Sequence, residues 1–355
     1  MIRSATLLSP FCHSFVSHVV NQVVSQALHP KLALFEDGEV ATALPVVDHY
    51  CGIEVRMRKS LELQAQMGPV FDITLDCEDG APIGGEAEHI ALVAEMLNSA
   101  NNAHGRVGAR VHPLGSASFE ADVDGLIAQA GERLAYLMVP KPRSAAEVEA
   151  ACQFIDASLQ RHGIAKPLPV HVLIETHGAL RDVQKIAAHP RIESLSFGLM
   201  DFVSAHRGAI PRHALSSEGQ FSHPLVTRAK LEIAAAAHAF AKTPSHCVVT
   251  EFKHAAAIEA AAARAAREFG YTRMWSIHPS QIQPIIDAFA PSVAEIDEAI
   301  DIIHAAMAAA WAPIQHHDVL HDRASYRYFW HVLERAHRTG QALPIEVALE
   351  FFGSA

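Results

Sequence analysis

Little in this chain marks a secreted, membrane-bound or nucleic-acid-binding protein. Its 355 residues hold only five cysteines (Cys12, Cys51, Cys77, Cys152 and Cys247), an odd number with no C-x-x-C pair. That pattern disfavours a disulfide framework and fits a reducing cytoplasm. Positive charge is scarce as well: 28 Lys and Arg stand against 39 Asp and Glu, a net charge of −11. A nucleic-acid or anionic-membrane surface needs clustered Lys and Arg, so neither partner is expected, although a local anion site is not excluded. No apolar run approaches the roughly 18 residues of a membrane span. The first thirty residues lack the apolar core and cleavage site of a secretory signal, and Val19, Val20, Val23, Val24 and Leu28 fall near the spacing of an amphipathic packing helix. The 24 His are scattered without metal-finger spacing, so most are read as surface or structural residues.

What is present is alternation. Apolar segments of strand length alternate with helical segments, the signature of a parallel sheet. Eight strands are predicted, at Ala43 to Val47, Phe71 to Leu75, Arg106 to Val111, Ala135 to Val139, Val170 to Ile174, Ser194 to Leu199, His246 to Val249 and Arg273 to Ile277. Helices are predicted between them, including Gly178 to Ala188 and two Ala-rich segments, Leu225 to Ala241 and Ala255 to Phe269, the last stopped by Gly270. No G-x-G-x-x-G follows the first strand, which disfavours an open dinucleotide-binding sheet. The expected fold is an α/β (β/α)8 TIM barrel over residues 41–290, with an N-terminal extension (1–40) and a C-terminal helical extension or cap (291–355).

In such a barrel the chemistry gathers at the C-terminal strand ends. The run FDITLDCEDG, Phe71 to Gly80, passes from apolar residues into Asp76, Glu78 and Asp79. Other strand ends carry Arg110 and His112, Lys141, Glu175, Asp201, Glu251 and His278. Any one of these is most simply a helix cap or a solvated loop residue. Several carboxylates on one rim, however, repel one another unless a cation offsets them, and hard oxygen ligands favour Mg2+, with Mn2+ as the alternative. Arg110 suits a substrate carboxylate or a developing enolate oxygen, or simply a salt bridge to Glu78 or Asp79. Lys141 suits a Schiff base or an ion pair. Cys77 is expected to point away from Asp76 and Glu78 and to be inert. His112 and His278 are expected mainly to shape loops, and Gly84, Gly85 and Gly198 to serve tight turns or close backbone approach.

Taken in order, LDCEDG, RVHP, VPK, LIET, GLMDF and SIHPSQ resemble the citrate lyase β-subunit-like lyases of the HpcH/HpaI aldolase superfamily over roughly Arg58 to Pro291. The resemblance implies a TIM barrel and Mg2+-dependent cleavage or formation of a carbon–carbon bond in a 2-oxo or 2-hydroxy carboxylic acid or its acyl-coenzyme A thioester. It also implies that Glu175 and Asp201 are the metal ligands, that Arg110 binds the substrate carboxylate and enolate oxygen, and that Glu78 and Asp79 orient metal-bound water or Arg110. Lys59 resembles a basic position of the family. A homo-oligomer, trimer or hexamer, is likewise implied. The chain departs from the family at its first strand, where ALPVVDHYCG stands in place of R-S-x-L-F-V-P-G, and at RVHP in place of R-V-N. The acidic C-terminal motif of members acting on coenzyme A thioesters has no match in HDRASYRYFWHVLERAHRTGQALP, so free acid and thioester stay open as substrates. Two other readings remain: a Schiff-base aldolase using Lys141, and an accessory barrel subunit that binds a small oxo acid.

Overall fold

The computed structural model describes residues 28–36 and 44–353. The helix expected around Val19 to Val24 lies outside them. Eight parallel strands close a barrel in sequential order: β1 (Val47–Cys51), β2 (Phe71–Asp76), β3 (Val107–Arg110), β4 (Leu137–Val139), β5 (Val170–Ile174), β6 (Ile192–Phe197), β7 (Thr243–His246) and β8 (Arg273–Ser276). β8 pairs with β1 through Met274 opposite Val47, which leaves the sheet without an edge. The (β/α)8 expectation therefore holds.

A short helix, α1 (Pro30–Leu34), precedes the barrel. Around it run α2 (Glu54–Met67), α3 (Glu86–Asn98), α4 (Phe119–Ala130), α5 (Ala145–Arg161), α6 (His177–Arg181), α7 (Val183–Ala187), α8 (Leu199–Ser204), α9 (Pro224–Ala239), α10 (Ala255–Phe269) and α11 (Ile282–Phe289). Among the described residues no helix is long and apolar enough to cross a membrane. The outward faces of the strands and the inward faces of the helices form one apolar layer, which includes Phe71, Ile73, Leu75, Val107, Ala109, Val172 and Ile174. Cys77 lies in this layer, turned away from Asp76, and burial pushes its thiol well up, as expected of an inert cysteine.

Three elements differ from the sequence expectation. The first strand begins at Val47 rather than Ala43 and runs through Asp48, His49 and Tyr50, all buried. Pro45 has no N–H for the ladder, and the polar residues that looked like a strand end are inside the barrel. β7 lies three residues earlier than expected because its own sequence, TPSH, is polar and carries a proline. The helix expected over Gly178 to Ala188 is broken at Asp182 into α6 and α7, and Asp182 accepts the backbone N–H of Ala145 at 3.1 Å.

Inside the barrel the residues lie in layers. At the N-terminal end, Arg273, Asp48 and Asp72 are fully buried. Arg273 pairs with Asp72 and, at 3.1 Å, with Asp48, while Arg106 closes on Asp72 at 2.7 Å. Thr74 and Tyr136 donate to Asp48 at 2.7 and 3.2 Å, and the Tyr136 ring stacks on His171 at 3.8 Å. Above these lies an apolar layer of Tyr50, Met138, Leu173 and Trp275. The C-terminal rim comes next.

After the barrel, α12 (Val293–Ala308), a hairpin of β9 (Ile314–His316) and β10 (Val319–His321), α13 (Arg323–Arg338) and α14 (Ile345–Phe352) build a second apolar core around Trp311, Tyr326, Trp330 and Phe351. Leu34 of α1 is part of it, and Arg327 donates to the Leu34 carbonyl at 2.7 Å.

Candidate active site

Because strand residues alternate between faces, Asp76 at the end of β2, Arg110 at the end of β3 and Glu175 just past β5 all reach the same rim. Arg110 is buried. Its Nε donates to Asp76 Oδ1 at 2.7 Å, its Nη2 to Asp76 Oδ2 at 2.5 Å, and its Nη1 lies 3.1 Å from Glu78 Oε2. Asp76 also accepts the backbone N–H groups of Glu78 (2.9 Å) and Gly80 (2.8 Å). The first acid of the cluster is thus the clamp that orients Arg110, a two-pronged pairing that fixes the guanidinium plane. The pairing anticipated with Glu78 is present, whereas the main partner is Asp76. Desolvation works against the Arg110 charge, but Asp76 and Glu78 outweigh it and hold the guanidinium ionised.

Lys141 follows β4. Its ammonium lies 2.5 Å from Glu78 Oε1, 2.7 Å from Asp79 Oδ2 and 3.8 Å from Asp201 Oδ1. Burial would lower its pKa; the paired carboxylates reverse this and raise it. Burial also pushes the Glu78 carboxyl upward, with Arg110 and Lys141 opposing. Asp79, more open, is held below its ordinary value because the Lys141 contacts outweigh its burial.

Glu175 is 3% exposed and accepts the Lys141 backbone N–H at 2.8 Å. Burial, reinforced by the nearby charge of Asp201, pushes its carboxyl up to about 8. Asp201, on the first turn of α8, is partly open to solvent. Gly198, at the entry to α8, runs so close to Glu175 that any Cβ there would collide with its carboxylate. Gly84 and Gly85 take positive φ (84° and 77°) in the turn before α3, as their positions suggested.

A cavity of about 240 Å³ opens on this rim, lined by Asp79, Arg110, Glu175 and Asp201 on its polar side. Phe197, Leu199, Met200, Leu215, Val248 and Trp275 line its apolar side. Among the described residues no group of three or more His, Cys, Asp or Glu side chains is arranged as a metal cage. Two carboxylates, one of them made reluctant to ionise by burial and, secondarily, by the other, nevertheless fit a Mg2+ that completes its shell with water and substrate oxygens. The donors are hard oxygens, and the divalent charge would offset both the burial and the Asp201 charge that raise Glu175.

Other residues singled out in the sequence lie apart from this cavity. The His112 Nδ1 is 2.6 Å from Asp122 Oδ2. His278 caps the short helix Pro279–Gln281 and stacks on Phe252 at 4.8 Å. Lys59 is exposed on α2 and pairs with Glu62 at 3.4 Å. Glu251 is partly buried outside the cavity wall. Sequence reasoning missed the apolar wall residues Leu215, Val248 and Trp275; Val248 and Trp275, both near the ends of predicted strands, carried a signal that could have pointed to them, and Leu215 carried none.

Residues 65–279 match the HpcH/HpaI aldolase/citrate lyase family. The L-malyl-CoA/β-methylmalyl-CoA lyase of Cereibacter sphaeroides is 31% identical over 250 residues, 68% of this chain and 78% of the relative. The crystal structure of a citrate lyase from Burkholderia xenovorans LB400 is 53% identical, covers 92% of this chain and 99% of its own, and superposes with a TM-score of 0.79. The protein CitE from Mycobacterium tuberculosis, solved with magnesium, acetoacetate and coenzyme A, shares the fold at 21% identity and a TM-score of 0.64, over 83% of this chain and 99% of its own. Barrel, rim and relatives together define a carbon–carbon lyase on a (β/α)8 scaffold. The chain belongs to the HpcH/HpaI aldolase/citrate lyase family.

Proposed function

We propose that the protein is a Mg2+-dependent lyase that cleaves or forms the carbon–carbon bond of a 2-oxo or 2-hydroxy acid carried as a coenzyme A thioester, of the malyl or citramalyl type. One observation carries the reading: Glu175, Asp201 and Arg110 converge on a single cavity of about 240 Å³. The names of several curated relatives, malyl-CoA and β-methylmalyl-CoA lyases, support the thioester over the free acid.

Magnesium held by Glu175 and Asp201 would supply Lewis-acid polarisation of the substrate oxygens. Arg110, its plane set by Asp76, offers its remaining N–H groups to the oxygen on which negative charge develops as the bond breaks, with no reorganisation at that moment. Asp79 is the member of the CEDG loop that lines the cavity, and Lys141 holds it ionised; it is our choice for the acceptor of the hydroxyl proton. Glu78 bridges Arg110 and Lys141. The apolar wall of Phe197, Leu199 and Trp275 excludes water from the reacting carbons.

Lys141 is a poor Schiff-base nucleophile, since its ammonium is paired and its pKa raised, whereas an imine-forming lysine needs a free amine. The reading includes a reducing cytoplasm, supported by Cys51, Cys77, Cys152 and Cys247, all buried and free. It also includes homo-oligomer assembly, for which exposed Val319, Leu320 and Tyr328 in the C-terminal extension offer apolar surface. The test is a cleavage assay over malyl-CoA, citramalyl-CoA and their free acids, with and without chelator. Chelator-sensitive turnover of a thioester, with no adduct trapped by borohydride, is the expected result; an adduct on Lys141 or turnover untouched by chelator would overturn it.

A further inference from the structure

Lys141 combines three features that the proposed chemistry does not by itself require of one residue. Its backbone N–H fixes the buried Glu175 at 2.8 Å, and its ammonium gathers Glu78 and Asp79 from the loop after β2. Its backbone is left-handed, with φ of 50°, a conformation that costs a side-chain-bearing residue free energy and that glycine would adopt freely. The loop carrying it is clasped to the next one: Thr176 donates to the Pro142 carbonyl at 2.5 Å, and Gly178 runs against the Arg143 carbonyl. A lysine kept at a site that favours glycine is kept for its side chain.

We propose that Lys141 is the positioning residue of the rim: on a loop whose backbone Asp76 already anchors, its ammonium draws the Glu78 and Asp79 carboxylates toward the cavity and holds them against Arg110 and the Glu175–Asp201 pair. It acts through the carboxylates and forms no bond to substrate. Without it, Glu78 keeps only Arg110 as a cation, and the Asp79 carboxylate loses its ion pair while its backbone N–H stays on Glu78. The inference rests on the lyase reading for its kinetic consequence, but the positioning itself is measurable without turnover.

The variants are Lys141→Ala, which removes the ammonium and keeps a Cβ, and Lys141→Gly, which also suits the left-handed backbone. Both retain the N–H that holds Glu175. In the full-length protein, circular dichroism is expected to be unchanged and the calorimetric Mg2+ affinity to stay within about threefold, while kcat falls roughly 100-fold in both variants. Glyoxylate binding in the presence of Mg2+ is expected to weaken about tenfold, and added ethylammonium to restore part of both losses, a rescue that general destabilisation would not show. Glyoxylate affinity equal to wild type in both variants overturns the proposal, as does a loss in folded protein that ethylammonium leaves untouched. If the wild type turns over none of the thioesters yet binds glyoxylate with Mg2+, the lyase reading fails while the glyoxylate titration still decides the role of Lys141.

Discussion

Two clusters of charge lie one above the other in the same barrel, built from the same residue types, and they serve opposite ends. The lower one, Arg273 with Asp48 and Asp72, is sealed from solvent; Arg106 also closes on Asp72, and Thr74 and Tyr136 donate to Asp48. The upper one, Asp76, Glu78, Asp79, Arg110, Lys141, Glu175 and Asp201, faces a cavity, and one of its acids is pushed up to about 8. Burial alone does not separate them, since Glu175 at 3% exposure is nearly as buried as Asp72. The difference is compensation. Each lower carboxylate has a cation within salt-bridge distance, whereas buried Glu175 faces a second carboxylate, Asp201, which is the condition a divalent ion relieves. Between the clusters lie Tyr50, Met138, Leu173 and Trp275.

Four changes would break or sharpen this contrast. The largest effect is expected from the upper pair: Glu175→Gln or Asp201→Asn should lower kcat/KM by about a thousandfold or more while the protein stays folded, measured by steady-state kinetics alongside far-ultraviolet dichroism. In the lower cluster the same kind of change should act on stability instead. Arg273→Met leaves buried Asp48 without a cation and Asp72 with Arg106 alone, and should cost about 3–5 kcal/mol in denaturant unfolding, with kcat per folded molecule little altered. Gly198→Ala is next: its Cβ must displace the Glu175 carboxylate, so Mg2+ affinity should fall by about tenfold, as read by calorimetry.

The smallest effect is on pH dependence. Metal-free folded protein keeps Glu175 protonated up to about pH 8, whereas the unfolded chain ionises at roughly 4.3. The folded state therefore binds the extra proton between those values, and the stability this contributes is present at low pH and lost as pH rises through the window. The Tm of metal-free protein should decline across that range, and Glu175→Gln should flatten the decline. A slope unchanged by the substitution would place the raised carboxyl elsewhere.

The barrel was legible from alternation alone, and β5 falls where its apolar run Val170–Ile174 said it should. The rim was legible because carboxylates there interrupt apolar runs abruptly, as in FDITLDCEDG. The lower cluster was not: Asp48 and Asp72 sit in mid-strand, where a polar residue reads as a strand end or a surface position, and only closure of β1 on β8 brings Arg273 to them. The same blindness put the first strand four residues early and moved β7. Asp76 was seen but undervalued, since its bond to Arg110 depends on the register of β2 with β3, which pairs those two residues directly.

The central claim is that Glu175 and Asp201 form a cation site that powers thioester cleavage. Calorimetric Mg2+ titration of wild type, Glu175→Gln and Asp201→Asn, with malyl-CoA and citramalyl-CoA cleavage measured on the same samples, tests it most directly. Micromolar-to-millimolar binding and turnover that vanish together in both variants are expected. Variants that bind Mg2+ and cleave a thioester as the wild type does would contradict the account.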